Sequence, residues 1–146
     1  MSKLRVLIAD DERPARLFLK NLLNGFEDVE VVGEAKDGAE VLDLIKEIKP
    51  DLLLLDLQMP VLSGLEVFKL LPENRAFFVV FVTADEAKAA QLFEAGSVEY
   101  LLKPVTQAEL RAIVNKAKKI VIDSEDIGNH FGTSEKDRAA NRKIKQ

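Results

Sequence analysis

Four short apolar runs in this 146-residue chain each lead into side chains able to do chemistry. LRVLIA runs into Asp10 and Asp11, DLLLL into Asp56, FFVVFV into Thr83 and VEYLL into Lys103. If those runs are strands of one open sheet, their carboxyl ends share an edge and gather three carboxylates, a hydroxyl and an ammonium in one crevice. Crowded carboxylates repel one another and need a cation, and an all-oxygen donor set suits Mg2+ or Mn2+. A lysine beside them supplies a point charge for an anion, and a threonine hydroxyl donates a hydrogen bond. A carboxylate next to such a metal can attack phosphorus to give an aspartyl phosphate, with charge neutralisation and in-line positioning supplying most of the catalysis. Taken singly, the same residues have ordinary readings. Asp10-Asp11 could cap a helix, Asp56 could belong to a turn before Met59-Pro60, Thr83 could simply end a strand, and Lys103 could be a solvated surface lysine. Their joint occurrence at four strand ends is what singles them out.

The elements that must position these groups follow from the hydrophobic period. Residues 4–9, 29–35, 51–56, 77–83 and 98–103 are short, mostly continuous apolar runs, as expected of parallel strands covered on both faces. Between them the period changes to that of helices. Leu19, Leu22, Leu23 and Phe26 share one face of a helix that Pro14 can open, and Val41, Leu42, Ile45 and Ile48 form a stripe after Asp37, an N-cap. Residues 64–71 and 85–95 predict two shorter helices. Leu110, Ile113, Val114, Ala117 and Val121 form the longest stripe, after Thr106 with Glu109 three residues on, the pattern of a capping box. Five strands alternating with five helices predict a flavodoxin-like, doubly wound α/β fold: a five-stranded parallel sheet in the order 2-1-3-4-5 with helices on both faces.

Bulk properties bound the rest. The length suits one domain, and 47% apolar residues suffice for its core. The absence of cysteine rules out disulfides, zinc–thiolate sites and thiol nucleophiles. The apolar stretch at the N-terminus is too short for a signal-peptide core, and no run is long enough to span a bilayer, so a cytoplasmic protein without membrane contact is expected. A net charge of −4 argues against nucleic-acid binding through the chain itself. The apolar pattern stops near Asp123, so residues 1–122 are expected to form the domain and 123–146 a polar tail or linker. Residues 135–146 hold five basic side chains against two acidic ones, which suits a solvated linker, a frayed surface helix from about Ser134, or a basic docking tail. His130, the lone histidine, falls in this tail and reads as a surface residue.

The motifs IADDE (8–12), LLLLDLQMPVLSG (52–64), FVTA (81–84) and YLLKP (100–104) resemble, in order and spacing, those of response-regulator receiver domains of two-component signalling, across about residues 3–121. DDERPAR and YLLKPV are most similar to receivers that precede LytTR-type DNA-binding domains. The resemblance implies that Asp56 is the phosphoacceptor, fed by a sensor histidine kinase or a histidine phosphotransfer protein. It implies direct Mg2+ coordination by Asp11, Asp56 and the Gln58 backbone carbonyl, with Asp10 acting through water. Lys103 would pair with the phosphoryl group, and its bond to Pro104 would be cis. Thr83 would bond a phosphoryl oxygen and Tyr100 would turn into the space Thr83 vacates, remodelling the surface around the fourth helix and fifth strand. A homodimer through the face of the fourth helix, fifth strand and fifth helix is a further partner the family suggests. Gln58 and Asp85 occupy positions that tune dephosphorylation in this family.

Two rival functions are separable from this one. A Mg2+-dependent phosphohydrolase with an aspartyl nucleophile typically carries a second acid two residues after it. That position here is Gln58, which argues against turnover of an external substrate. A phosphorylation-independent, receiver-like interaction module would usually lack one of the acidic pair, the acceptor or the lysine, and all are present. The expected protein is therefore a signalling switch that catalyses only its own phosphorylation and dephosphorylation.

Overall fold

The period of the sequence becomes geometry in the computed structural model, which describes residues 3–72, 75–94 and 99–129. The strands are β1 (Leu4–Ala9), β2 (Val29–Ala35), β3 (Leu52–Leu55), β4 (Phe78–Thr83) and β5 (Glu99–Leu102). They alternate with α1 (Arg13–Asn24), α2 (Gly38–Ile48), α3 (Gly64–Leu70), α4 (Glu86–Glu94) and α5 (Gln107–Asn129). All strand pairs are parallel and the order is β2-β1-β3-β4-β5. The expected doubly wound fold is the one observed.

Strand alternation explains why the central runs are apolar at every position. Leu52 and Leu54 face one side with Val6, Ile8, Val80 and Val82, under Leu19 and Leu23 of α1 and Leu110, Val114 and Ala117 of α5. Leu53 and Leu55 face the other side with Leu7, Ala9, Val79 and Phe81, under Val41 of α2 and Val67 of α3. Each of these leucines is essentially fully buried, and burial of one such side chain is worth roughly 1.5–3 kcal/mol. The two cores clamp β1, β3 and β4 from both faces, so the carboxyl ends of these strands form a rigid edge.

Local chemistry ends the helices. The Asp37 side chain accepts the Glu40 N–H at the start of α2. Thr106 and Glu109 exchange the expected capping-box bonds before α5, and Ser63 and Glu66 do the same for α3. At α1 the N-cap is Glu12, without a side-chain bond, rather than Asp10 or Asp11. That helix stops at Asn24, so Phe26 is buried just beyond it, with the Arg111 guanidinium 4.7 Å from its ring centre. The Arg111 fork and Lys118 both reach Asp28 and anchor α5 to the loop before β2. Together they hold the Asp28 carboxyl far below the usual carboxylate range. Strands β3 and β5 stop at Leu55 and Leu102, one residue before Asp56 and Lys103, which begin the edge loops. Helix α5 continues past residue 122 to Asn129, beyond the last apolar position of its stripe, since each added residue extends an existing hydrogen-bond ladder. His130 and the basic segment 135–146 lie outside the described residues.

Candidate functional site

The sheet edge delivers the side chains singled out in the sequence. Asp10 follows β1, its N–H donating to the Ala35 carbonyl at 3.0 Å. Asp56 follows β3, its N–H donating to the Ala9 carbonyl at 2.9 Å. Thr83 ends β4, and the Lys103 N–H donates to the Thr83 carbonyl at 2.9 Å. The ladder therefore carries on for one residue beyond β1, β3 and β5 and holds Asp10, Asp56 and Lys103 by their backbone.

Asp10, Asp11 and Asp56 present carboxylate oxygens within 4.8 Å of one another. Asp10 and Asp56 are buried and Asp11 is exposed, so the cluster opens to solvent on the Asp11 side. Lys103 Nζ lies 2.7 Å from Asp10 Oδ2 and 3.4 Å from Asp56 Oδ2. One ammonium faces three carboxylates, which leaves excess negative charge and oxygen donors only. This is the composition a hard divalent cation requires, and the residues present fit Mg2+.

Burial pushes the Asp56 carboxyl up to about 6, and the Asp10 charge adds to the rise. The Gln58 N–H, which donates to Asp56 Oδ1 at 3.2 Å, and the Lys103 cation oppose it. Lys103 loses solvation on burial, but the hydrogen bond it donates to Asp10 and the charges of Asp56 and Asp10 outweigh that loss and raise its pKa. The Asp56 carboxylate is thus costly to ionise, and a cation would stabilise its charged form. Asp28, by contrast, is a surface carboxylate whose strong depression reflects a structural ion pair.

Thr83 is fully buried, and its hydroxyl oxygen accepts the Asp85 N–H at 3.1 Å, leaving the O–H free to donate. The Gln58 side-chain amide reaches Asp85 Oδ2 at 3.4 Å across the mouth of the site. Tyr100 is half-buried, its ring edge-on to the exposed Phe93 with centroids 5.8 Å apart. The Lys103–Pro104 peptide bond is cis.

Two features of the loop after Asp56 were not singled out in the sequence. Gly64 presses on the Asp56 backbone, and a Cβ there would run into the Asp56 carbonyl oxygen. Val61 sits at φ 70, at the centre of a three-residue turn in which the Leu62 N–H donates to the Pro60 carbonyl at 2.8 Å. Such a turn is strained for a β-branched residue, and strain of this kind concentrates at functional loops. The only sequence signal was indirect: a glycine eight residues after an acidic strand end, behind Pro60. An apolar cavity of about 200 Å³ also opens beside Lys103, lined by Ala15, Phe18 and Leu19 of α1 and by Val82, Pro104 and Val105.

Comparison with known proteins gives the same assignment from a separate direction. The family model described as the response regulator receiver domain matches residues 6–115. The transcriptional regulatory protein BtsR of Salmonella typhi is 40% identical over 117 residues, which cover 80% of this chain and 48% of that protein. The chain thus spans about half the length of the curated relatives it matches. The response regulator domain of Thermotoga maritima CheB superposes with a TM-score of 0.69 at 31% identity, covering 79% of this chain and 96% of that one. The REC domain of AraT, a response regulator from Geobacillus stearothermophilus, gives a TM-score of 0.69 at 33% identity, covering 84% and 98%.

Proposed function

The chain belongs to the response regulator receiver family, and from that premise we propose that it is a phosphorylation-dependent switch in which Asp56 accepts a phosphoryl group from a phosphohistidine on a kinase or phosphotransfer partner. The observation that carries this reading is the meeting of Asp10, Asp11 and Asp56 at one sheet edge, with Lys103 Nζ spanning Asp10 and Asp56.

In this reading an Asp56 carboxylate oxygen forms a bond to phosphorus as the phosphorus–nitrogen bond of the donor breaks. The leaving electron pair stays on the imidazole, which takes up a proton. Lys103 pairs with the developing negative charge on the phosphoryl oxygens, and the Thr83 hydroxyl donates to one of them. Asp11, Asp56 and the Gln58 carbonyl would hold Mg2+ directly and Asp10 through water; the ion neutralises the carboxylates and the phosphoryl oxygens. Gln58 offers no acid to expel product from an external ester, which supports self-phosphorylation and self-dephosphorylation over turnover.

Phosphorylation then draws Thr83 toward the new anion, and Tyr100 turns inward from its contact with Phe93. This remodels the face of α4, β5 and α5, where a second copy could dock. Exposed Phe18 on α1 lines the cavity beside Lys103 and, with its exposed neighbour Leu17, suits an apolar contact with the phosphoryl donor. No helix among the described residues is long and apolar enough to cross a membrane, which supports a cytoplasmic setting. Because the Salmonella relative is named a transcriptional regulator, control of transcription is the output we assign to the system. A LytTR-type output is the finer form of that proposal, and the chain's net charge of −4 argues against nucleic-acid contact through residues 1–146 themselves. Residues 1–122 act as the switch and 123–146 as its tail or linker.

The test is to incubate wild type and Asp56→Asn with Mg2+ and acetyl phosphate and measure intact mass. One added phosphoryl group on wild type alone is expected. Equal labelling of both proteins, or none on either, overturns the assignment.

A further inference from the structure

We propose that Arg16 is a positioning residue for the metal end of the site: its guanidinium locks the peptide that joins Asp10 to Asp11 and so sets where the Asp11 carboxylate meets a divalent cation. The inference rests on the reading of Asp11 as a magnesium ligand.

Arg16 lies on α1, one turn past the Glu12 cap, and its Nη1 donates to the Asp10 carbonyl at 2.8 Å. Its Nε donates to Glu34 Oε1 on β2 at 3.1 Å, and Glu34 Oε2 accepts from Lys20 Nζ at 2.9 Å. The Arg16 side chain is only 15% exposed, so this is a lodged fork rather than a surface ion pair. On its amide side, Asp10 donates to the carbonyl of Ala35, the residue after Glu34. The end of β2 therefore grips Asp10 twice, once directly and once through Arg16.

The three carboxylates differ in what holds their side chains. Asp10 is held by Lys103 and by the Glu12 N–H at 2.9 Å. Asp56 is held by Lys103 and the Gln58 N–H. Asp11 is exposed, and among the described residues no hydrogen bond or ion pair holds its side chain. Its reach is therefore set from its backbone, and among the described residues the only side-chain donor on the peptide before it is Arg16. A planar guanidinium can serve the carbonyl and Glu34 at once in a fixed geometry, which a lysine ammonium does less well.

Charge and geometry predict opposite outcomes, which makes the role testable. Removing a cation near three carboxylates would by electrostatics alone tighten Mg2+ binding. Loss of positioning weakens it, by about tenfold if Arg16 acts as outer-shell partners of metal ligands generally do. The experiment is calorimetric titration of the full chain with Mg2+ for wild type, Arg16→Met and Arg16→Lys, with urea unfolding to verify the fold. The Mg2+ concentration for half-maximal labelling by acetyl phosphate is measured alongside. Arg16→Met is expected to shift both midpoints up about tenfold, and Arg16→Lys less, since its ammonium can still donate to the Asp10 carbonyl although it lacks the fork. Tighter or unchanged Mg2+ binding by folded Arg16→Met overturns the proposal. If that variant does not fold, wild-type affinity in Arg16→Lys overturns it. A wild type that binds no Mg2+ sinks this proposal and the metal assignment together, whereas unaltered Arg16 variants beside an Mg2+-binding wild type sink this one alone.

Discussion

Replacing the acceptor should make the metal-free protein more stable. The Asp56 side chain is 7% exposed, and burial raises its pKa from 3.8 to about 6. An acid whose folded pKa lies above its unfolded value contributes its full stability below the unfolded pKa. That contribution is lost as pH rises through the folded pKa, because the unfolded chain ionises at less cost. At 1.36 kcal/mol per unit, the raised pKa of Asp56 costs the fold about 3 kcal/mol at pH 7.5 and roughly half of that at pH 5. Asparagine has nearly the same shape and no charge to bury, though it weakens the contact to Lys103. After discounting for relaxation, Asp56→Asn should gain roughly 1–3 kcal/mol near pH 7.5, and the gain should fall by about half at pH 5. Urea unfolding followed by circular dichroism in a chelating buffer measures both values through the midpoint at constant slope. Saturating Mg2+ should then narrow the gap, since it binds the ionised wild-type site and stabilises it by mass action. A variant no more stable than wild type near pH 7.5, or a gain that ignores pH, would refute the claim that Asp56 is ionised at a cost.

Two further perturbations bear on the parts around the acceptor. Gly64→Ala drives a methyl group into the Asp56 carbonyl, so unfolding should cost at least about 2 kcal/mol less and labelling by acetyl phosphate should slow; unchanged unfolding would mean that the loop yields freely. Phe18→Ala trims the exposed rim of the cavity beside Lys103, so phosphotransfer from a cognate kinase should fall about tenfold while labelling by acetyl phosphate stays the same. A parallel loss with both donors would place Phe18 in the fold rather than at the docking surface.

The reach of the sequence can be read off particular elements. The strands were legible because runs such as Leu52 to Leu55 are short and apolar at consecutive positions, as strands covered on both faces are, and the alternation with helices left few sheet orders. Asp37 and the Thr106–Glu109 pair declared helix starts because caps are local chemistry. Asp10, Asp56, Thr83 and Lys103 were legible as a group because each follows or ends such a run. The end of α1 before Phe26, the Glu12 cap and the course of α5 beyond residue 122 were not, since they depend on what packs or bonds nearby rather than on period.

The sequence by itself determined the strand–helix alternation and the set of groups at the strand ends, because hydrophobic period is a local property, and chain handedness narrowed the sheet to a few orders, of which β2-β1-β3-β4-β5 is the one formed. Tertiary structure decided how those groups share charge. Lys103 sits closer to Asp10 than to Asp56, Asp56 rather than Asp11 is buried, and Arg16 reaches back to the Asp10 carbonyl while leaning on Glu34. Distances between residues tens of positions apart are set by packing in three dimensions, and no pattern along the chain encodes them singly. The pKa of Asp56 belongs to this second class, since burial and neighbouring charge exist only once the sheet edge has closed.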